Sequence, residues 1–355
     1  MKKRIGMPTF WGWGRGLAYA ALIWSKMLIP EYDVYILKQG KNEIDENFKV
    51  VDVHIEEVPG YHIDKEVFKK WIKKNKIDLV IFNEYNQWSD DGQNLVREAK
   101  ELGCVVYGYL VMERFKKSLT KDYDRLICPT KTHQRFLRMH KVRNHAYVPH
   151  SVDFKNEFQK YEPPKNEKFT FFHPGGWGGV HHRKNTDKVL KAFTKLKRDD
   201  VKLIITSQRP IILKKIPKNV ELINKNLTRK EFLEIFRQAD CTVVPSKWET
   251  VGLPILESLA LGIPVITVDM PPMNEFIQTG INGYLCTPNL VEYTDISVLV
   301  AEVDSIDLKN KMVNIMNKSL LPLLKNNSRF IAEEKYDIEK NKKYLLDIVK
   351  KDIGV

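Results

Sequence analysis

The feature that most restricts this chain is a pattern that runs, stops and starts again. Lys3 to Pro8 is a short apolar run that enters the loop Trp11-Gly12-Trp13-Gly14-Arg15-Gly16. A helix follows, with Leu17, Ala20, Ala21, Trp24, Met27 and Leu28 at helical spacing on one face. Strands are then expected at Asp33 to Leu37, Val50 to Val58, Asp78 to Phe82, Val105 to Leu110, Arg125 to Cys128 and Ala146 to Val148. Helices are expected at Asp64 to Lys74 and Leu95 to Leu102. Residues 153–168 are polar, hold Pro163-Pro164 and read as a linker. Phe169 to Phe172 then enters a second glycine-rich loop and a helix from about Asp187. Short strands recur at Leu203 to Thr206, Val220 to Ile223, Cys241 to Val244 and Pro264 to Val268. Strands alternating with helices imply a parallel sheet covered on both faces. The expected architecture is α/β. It has two Rossmann-like domains, residues 1–152 and 169–330, whose parallel sheets face each other across a central cleft.

Composition narrows the partners. A chain of 355 residues suits two domains, and 43% hydrophobic with 29% charged residues is globular rather than disordered or membrane-spanning. No stretch approaches the roughly twenty apolar residues a membrane helix needs. The N-terminus breaks into Gly and Trp too early for a signal peptide, so a cytoplasmic location is expected. Cys104, Cys128, Cys241 and Cys286 lie far apart in apolar runs and read as reduced core residues. The net charge of +13 favours a polyanion, an anionic membrane surface or a phosphorylated substrate, without choosing among them. The basic helix Lys65 to Lys76 clusters Val67, Phe68, Trp71 and Ile72. It would suit either a peripheral membrane contact or a surface helix packed on the sheet.

The chemistry concentrates in Val243 to Val268, VVPSKWETVGLPILESLALGIPVITV. A buried strand ends at Val244, Pro245-Ser246 turn the chain, and Glu249 sits on the loop before the flexible Gly252. Pro254 suits the first helical residue, and Gly262 with Pro264 stop the helix. Glu257 is then expected on the first helical turn. Free backbone N–H groups and the helix dipole there favour a diphosphate, and two carboxylates beside it could accept hydrogen bonds from sugar hydroxyls. Glu249 and Glu257 enclose seven residues, and the whole stretch resembles the E-x7-E signature of retaining glycosyltransferases of family 4, which adopt the GT-B fold. Pro272-Met273-Asn274-Glu275 and Thr279 to Leu285 resemble that family's next helix and Asn-Gly turn. The resemblance is specific over 169–290 and covers 1–150 in outline.

The resemblance implies a metal-independent transferase that moves a sugar from a UDP- or GDP-sugar, with no further cofactor, to a glycan or lipid-linked acceptor through an alpha-type linkage. It assigns Glu249 to the sugar hydroxyls and Glu257 to the ribose. The amides of Thr250, Val251 and Gly252 would lie against sugar and diphosphate. Arg183 and Lys184, after the glycine-rich run holding Gly175 and Gly176, would balance the leaving group. Relatives carry an arginine five or six residues before that lysine; here Gly179 and Gly178 stand there, and Arg183 is the candidate substitute. Gly14 and Arg15 would let the N-terminal domain approach the phosphates. Asn83, beside Glu84, stands where relatives carry a histidine, which leaves hydrogen bonding but no general base. The last helix, Tyr336 to Val349 within 331–355, would cross back to the N-terminal domain.

Several patterns point elsewhere and are weaker. Gly12-x-Gly14-x-Gly16 is not the dinucleotide spacing, and the next strand ends in Lys38-Gln39 without a ribose-binding acid. Asp122-Tyr123-Asp124 matches a metal-binding D-x-D but precedes a strand, where it fits a structural role. His181 and His182 are adjacent and suit no zinc pair. Trp11 and Trp13 would serve equally as a stacking platform for a sugar acceptor or as packing. The charge leaves open a glycosyltransferase acting on modified bases in DNA, and the departures at Asn83 and Gly178–Gly179 leave open a binding or scaffold subunit.

Overall fold

The computed structural model describes residues 2–14, 16–49, 51–58, 60–83, 90–177, 183–213, 215–291 and 298–354. Val50, Arg15, Glu84, Gly178, Gly179, His181 and His182 lie outside the described residues. The chain divides into two units, Met1–Ser151 with Ile338–Val355, and Val152–Asp337.

The first unit holds strands β1 (Arg4–Thr9), β2 (Asp33–Gln39), β3 (His54–Val58), β4 (Leu79–Phe82), β5 (Val105–Tyr109), β6 (Arg125–Cys128) and β7 (His145–Tyr147). Its helices are α1 (Gly16–Leu28), α2 (Glu46–Lys49), α3 (Lys65–Asn75), α4 (Asp90–Glu101) and α5 (Lys131–Met139). The sheet order is β3-β2-β1-β4-β5-β6-β7, with every pair parallel. All four residues of β4 are buried, as a strand covered on both faces requires. Helix α3 turns Phe68, Trp71 and Ile72 inward. Trp71 comes so close to β1 that a Cβ on Gly6 would stand 2.6 Å from its ring, so a larger residue at that strand position would displace the indole. Three of the four apolar residues of that stripe are thus packed inward while Val67 stays exposed, and Lys65 and Lys69 pair with Glu98.

The second unit repeats the plan. Strands β8 (Phe169–Gly176), β9 (Val201–Ser207), β10 (Val220–Asn224), β11 (Cys241–Val244), β12 (Val265–Val268) and β13 (Gly283–Cys286) form a parallel sheet in the order β10-β9-β8-β11-β12-β13. A hairpin, β14 (Pro288–Val291) with β15 (Val300–Val303), follows. The helices are α6 (Thr186–Thr194), α7 (Arg229–Phe236), α8 (Leu253–Ala260), α9 (Ser305–Ile315) and α10 (Leu321–Lys335). In both sheets the order reverses direction once, between β1 and β4 and between β8 and β11. Open α/β sheets take ligands outside the carboxyl ends of strands at such a point.

The polar stretch after Ser151 is more ordered than its composition suggests. The Asp153 carboxylate accepts from Asn156 N at 2.9 Å and closes a turn that buries Phe158 to 1% exposure. Val152 N donates to Tyr336 O at 2.8 Å. Helix α10 runs through residue 331, and the last helix, α11 (Ile338–Ile353), belongs to the first unit. There Asp352 accepts from both Arg125 Nε and Nη2 at 2.6 Å and from the Tyr107 hydroxyl at 2.7 Å. Among the described residues no helix is long and apolar enough to cross a membrane.

Candidate functional site

The best-formed polar cluster stands at the switch point of the second sheet, where β8 and β11 diverge. Past β11, Ser246 turns the chain and its hydroxyl donates to Glu249 Oε1 at 2.7 Å. From the loop after β8, Arg183 Nη1 donates to Glu249 Oε2 at 2.5 Å and to Trp248 O at 3.2 Å. Lys184 Nζ donates to Glu249 Oε1. The two loops are also joined through the main chain, Lys247 N to Arg183 O at 2.7 Å. Glu249 is 6% exposed and Lys184 7%, so the charges meet with little water between them. Among the described residues, the Glu249 carboxylate faces two cations, Arg183 and Lys184.

Titration behaviour follows from that count. Burial would raise the Glu249 carboxyl, but Arg183, Lys184 and the Ser246 hydroxyl outweigh it and hold it at about 2. Lys184 is pushed below its usual value, by burial first and then by the like charge of Arg183, against the pull of Glu249.

The main chain around these groups is fixed by neighbours that sequence reasoning passed over. His173, on β8, is wholly buried, and burial drops its pKa to about 4, so the ring is neutral. Its Nδ1 lies 2.7 Å from Val243 O and therefore carries the proton; Nε2 then accepts from the Thr186 hydroxyl at 2.9 Å. Asn185 adopts the left-handed conformation (φ 55°) as the N-cap of α6, and its Nδ2 donates to Pro245 O at 2.8 Å. Asn tolerates that conformation better than most residues. Lys184 is thus presented by a strand end, a buried histidine and a capping asparagine.

Helix α8 begins one residue earlier than its proline suggested. Leu253 is the first helical residue and Pro254 the second, with Gly252 as N-cap at φ 86°. A Cβ there would add left-handed strain and lie 3.7 Å from Glu249 Cγ. Glu257, expected on the first turn, consequently sits one turn in. It is 7% exposed, and Arg229 Nη1 donates to its Oε1 at 2.6 Å. Burial raises its pKa, with Arg229 and the more distant Lys184 opposing and Glu157 adding to the rise.

Glu249, Arg183, Lys184 and Gly252 are therefore brought together. Gly176 joins them, its φ of 63° and the 3.6 Å between its would-be Cβ and Lys184 Cε showing how closely the lysine crosses it. Gly175 is 3.0 Å by the same measure from Thr206 O, a close approach to β9 rather than an open cradle. Val251 is buried and Thr250 half-buried on the loop between. Asn83 and Gly14 belong to the other unit. Asn83, 4% exposed at the end of β4, donates to Leu17 O at 2.5 Å. Nothing within 4 Å would meet a Cβ on Gly14. Trp11 is fully buried against Phe48, whereas half-buried Trp13 shares an aromatic group with Phe10 (5.3 Å) and the exposed Tyr61 (6.4 Å). Asp124 accepts from Val106 N and pairs with Lys100, and Asp122 pairs with Arg97. Both carboxylates of the D-x-D are thus in structural use.

Residues 153–303 match the family model described as glycosyl transferases group 1. The chain is 31% identical over 163 residues to an uncharacterized glycosyltransferase of Sulfolobus islandicus rod-shaped virus 1, covering 42% of this chain and 49% of that protein. It is 26% identical over 238 residues to the alpha-monoglucosyldiacylglycerol synthase of Streptococcus pneumoniae, covering 61% and 52%. The chain thus spans about half the length of these curated relatives. Its fold is similar over 98% of its length to all of the Anabaena protein HepE, solved in complex with UDP and glucose, at a TM-score of 0.74 and 12% identity. A sucrose-phosphate synthase from Thermosynechococcus elongatus is similar over 99% of both chains, at 0.73 and 13%. The fold is the GT-B glycosyltransferase fold.

Proposed function

We propose, for a GT-B chain whose residues 153–303 carry the group 1 glycosyl transferase match, that it moves a sugar from a nucleotide-diphosphate sugar to an acceptor hydroxyl with retention of configuration. The observation that carries the reading is Glu249 held between Arg183 and Lys184 at the carboxyl end of the β8/β11 switch point.

In this reading the donor's diphosphate lies against the cationic groups of Arg183 and Lys184, and Glu249 turns its oxygens to the sugar hydroxyls. Thr250, Val251 and Gly252 offer main-chain amides at the start of α8. Gly175 and Gly176 keep the β8 loop low beside Lys184. Glu257 accepts from the ribose. Asn83, Gly14 and Arg15 are the residues proposed to contact donor or acceptor in the first unit's sequence. The bond from the anomeric carbon to the diphosphate breaks and its electron pair leaves on the phosphate oxygen. The acceptor oxygen bonds to the same face of the anomeric carbon, and its proton passes to the departing phosphate oxygen. The protein's part is electrostatic: fixed positive charge aimed at the leaving group in a dry site.

A UDP- or GDP-sugar is the proposed donor and a glycan or lipid-linked hydroxyl the proposed acceptor, through an alpha-type linkage. HepE holding UDP and the lipid product named for the Streptococcus pneumoniae relative support those classes. Catalysis is proposed to need no metal, so turnover should survive EDTA. The test is a thermal-shift screen against UDP, GDP, CDP, ADP and their sugars, repeated on Glu257→Ala. One nucleotide should stabilise the wild type by mass action and the variant much less. No shift with any nucleotide at millimolar concentration would refute the donor site.

A further inference from the structure

Arg229 is a charged side chain with 8% exposure that the reaction above does not use. Its place is set locally. Thr228 Oγ1 accepts from Glu231 N at 3.2 Å, and Glu231 Oε2 accepts from Thr228 N at 2.8 Å, a capping box that opens α7 with Arg229 as its first residue. From there Nη1 donates to Glu257 Oε1 at 2.6 Å and Nε donates to Glu157 Oε1. The rings of Phe158 and Phe232 lie 5.6 and 5.8 Å from the guanidinium carbon. Glu157 and Phe158 belong to the turn that Asp153 closes after Val152.

A guanidinium projects its donors in fixed directions, unlike an ammonium. Gripped by Glu157 through Nε and flanked by two rings, Arg229 has one orientation, and it hands that orientation to the Glu257 carboxylate. Burying such a group costs desolvation that ion pairing only roughly repays, so stability alone is a poor reason for it. We infer that Arg229 is a positioning residue: anchored by Glu157, it aims the Glu257 carboxylate at the vicinal hydroxyls of a ribose, and so makes the site prefer ribonucleotides to deoxyribonucleotides. The inference rests on the donor reading given above.

Calorimetric titration of the full chain with UDP and GDP, and with 2′-deoxy-UDP and 2′-deoxy-GDP, tests it. The wild type is expected to bind one ribonucleotide about tenfold more tightly than its deoxy form, the worth of one hydrogen bond to a charged acceptor. In Arg229→Met the ribonucleotide should lose that tenfold while the deoxy form changes by less than about threefold. Arg229→Lys should recover part of the preference. A ribo-to-deoxy ratio unchanged in Arg229→Met, whatever the overall affinity, overturns the inference and leaves the donor site standing. A wild type that binds no nucleotide sinks both.

Glu157→Gln guards against a misfolded arginine variant, since it keeps an oxygen for Nε and removes one charge. The charges facing Glu257 are Arg229, Glu157 and Lys184. Without the like charge of Glu157, Glu257 stays ionised to lower pH, so the acid limb of nucleotide affinity should move down. A limb unmoved from the wild type would count against the linkage.

Discussion

The two sheets share one strand order through six strands, yet their switch points are furnished differently. Between β8 and β11 stand Arg183, Lys184, Ser246 and Glu249, bonded to one another and largely buried. At the ends of β4 and β1 stand Asn83, which is turned back onto Leu17 O at the start of α1, and the buried Thr9, and Phe10, after β1, groups with Trp13 and Tyr61. The same topology supplies the same crevice twice, and the loops decide its chemistry. The described cluster between β8 and β11 is ionic, whereas Asn83, at the end of β4, spends its amide on the main chain.

The sharpest way to break this contrast is in the charged crevice. Glu249→Ala or Lys184→Ala should each lower turnover about a hundredfold or more, as for other single charge-stabilising groups. Steady-state kinetics near wild type in both would dissolve the distinction between the crevices.

A second difference appears in acid. Glu249 is held at about 2 in the folded chain, below its unfolded value. A depressed carboxyl contributes stability that is fully present above the unfolded pKa and lost as the pH falls through the folded one. Here that contribution disappears as the pH falls from about 5 to about 2. Denaturant titrations across that range should show a shallower pH dependence for Glu249→Gln than for the wild type, and equal slopes would contradict the ion-pair account. Asn83, paired to a main-chain oxygen, gives no such signal, so Asn83→Ala should leave the acid profile unchanged. Its turnover should fall by about tenfold, the worth of one hydrogen bond.

The smallest effect belongs to the first unit's scaffold. Asp352→Asn weakens the fork from Arg125 and the bond from Tyr107 on partly exposed groups, for about 1 kcal/mol of unfolding free energy after solvent screening. Nucleotide affinity at the charged crevice should not respond. A matching loss of affinity would contradict the placing of nucleotide binding at the β8/β11 cluster.

What the sequence made legible follows the same divide. Val243 to Val268 could be read because a buried strand, a Pro-Ser turn, a Gly–Pro start and a Gly–Pro stop punctuate it at close range. Each signal concerns neighbours in the chain, and Glu249 with Lys184 came out of such reading. Arg229 did not. The Thr-x-x-Glu capping box announces the helix start, but nothing local says that the arginine turns inward to a carboxylate on another helix. Glu157 was hidden in a polar stretch read as linker, because composition does not register that Asp153 folds it into a turn or that Phe158 anchors it. His173 belongs to the same class, its two partners lying on β11 and at the start of α6. Trp11 and Trp13 could not be separated by residue type, and packing divides them, one buried against Phe48 and one half-buried beside Phe10 and Tyr61.

The central claim is that the cluster between β8 and β11, not its counterpart in the other sheet, holds the nucleotide diphosphate. Calorimetry of the stabilising nucleotide diphosphate against the wild type, Lys184→Ala, Glu257→Ala and Asn83→Ala tests it most directly. The account predicts at least about tenfold weaker binding in the first two variants and a change under about threefold in the third. Equal affinity in all four proteins, or a loss confined to Asn83→Ala, would contradict it.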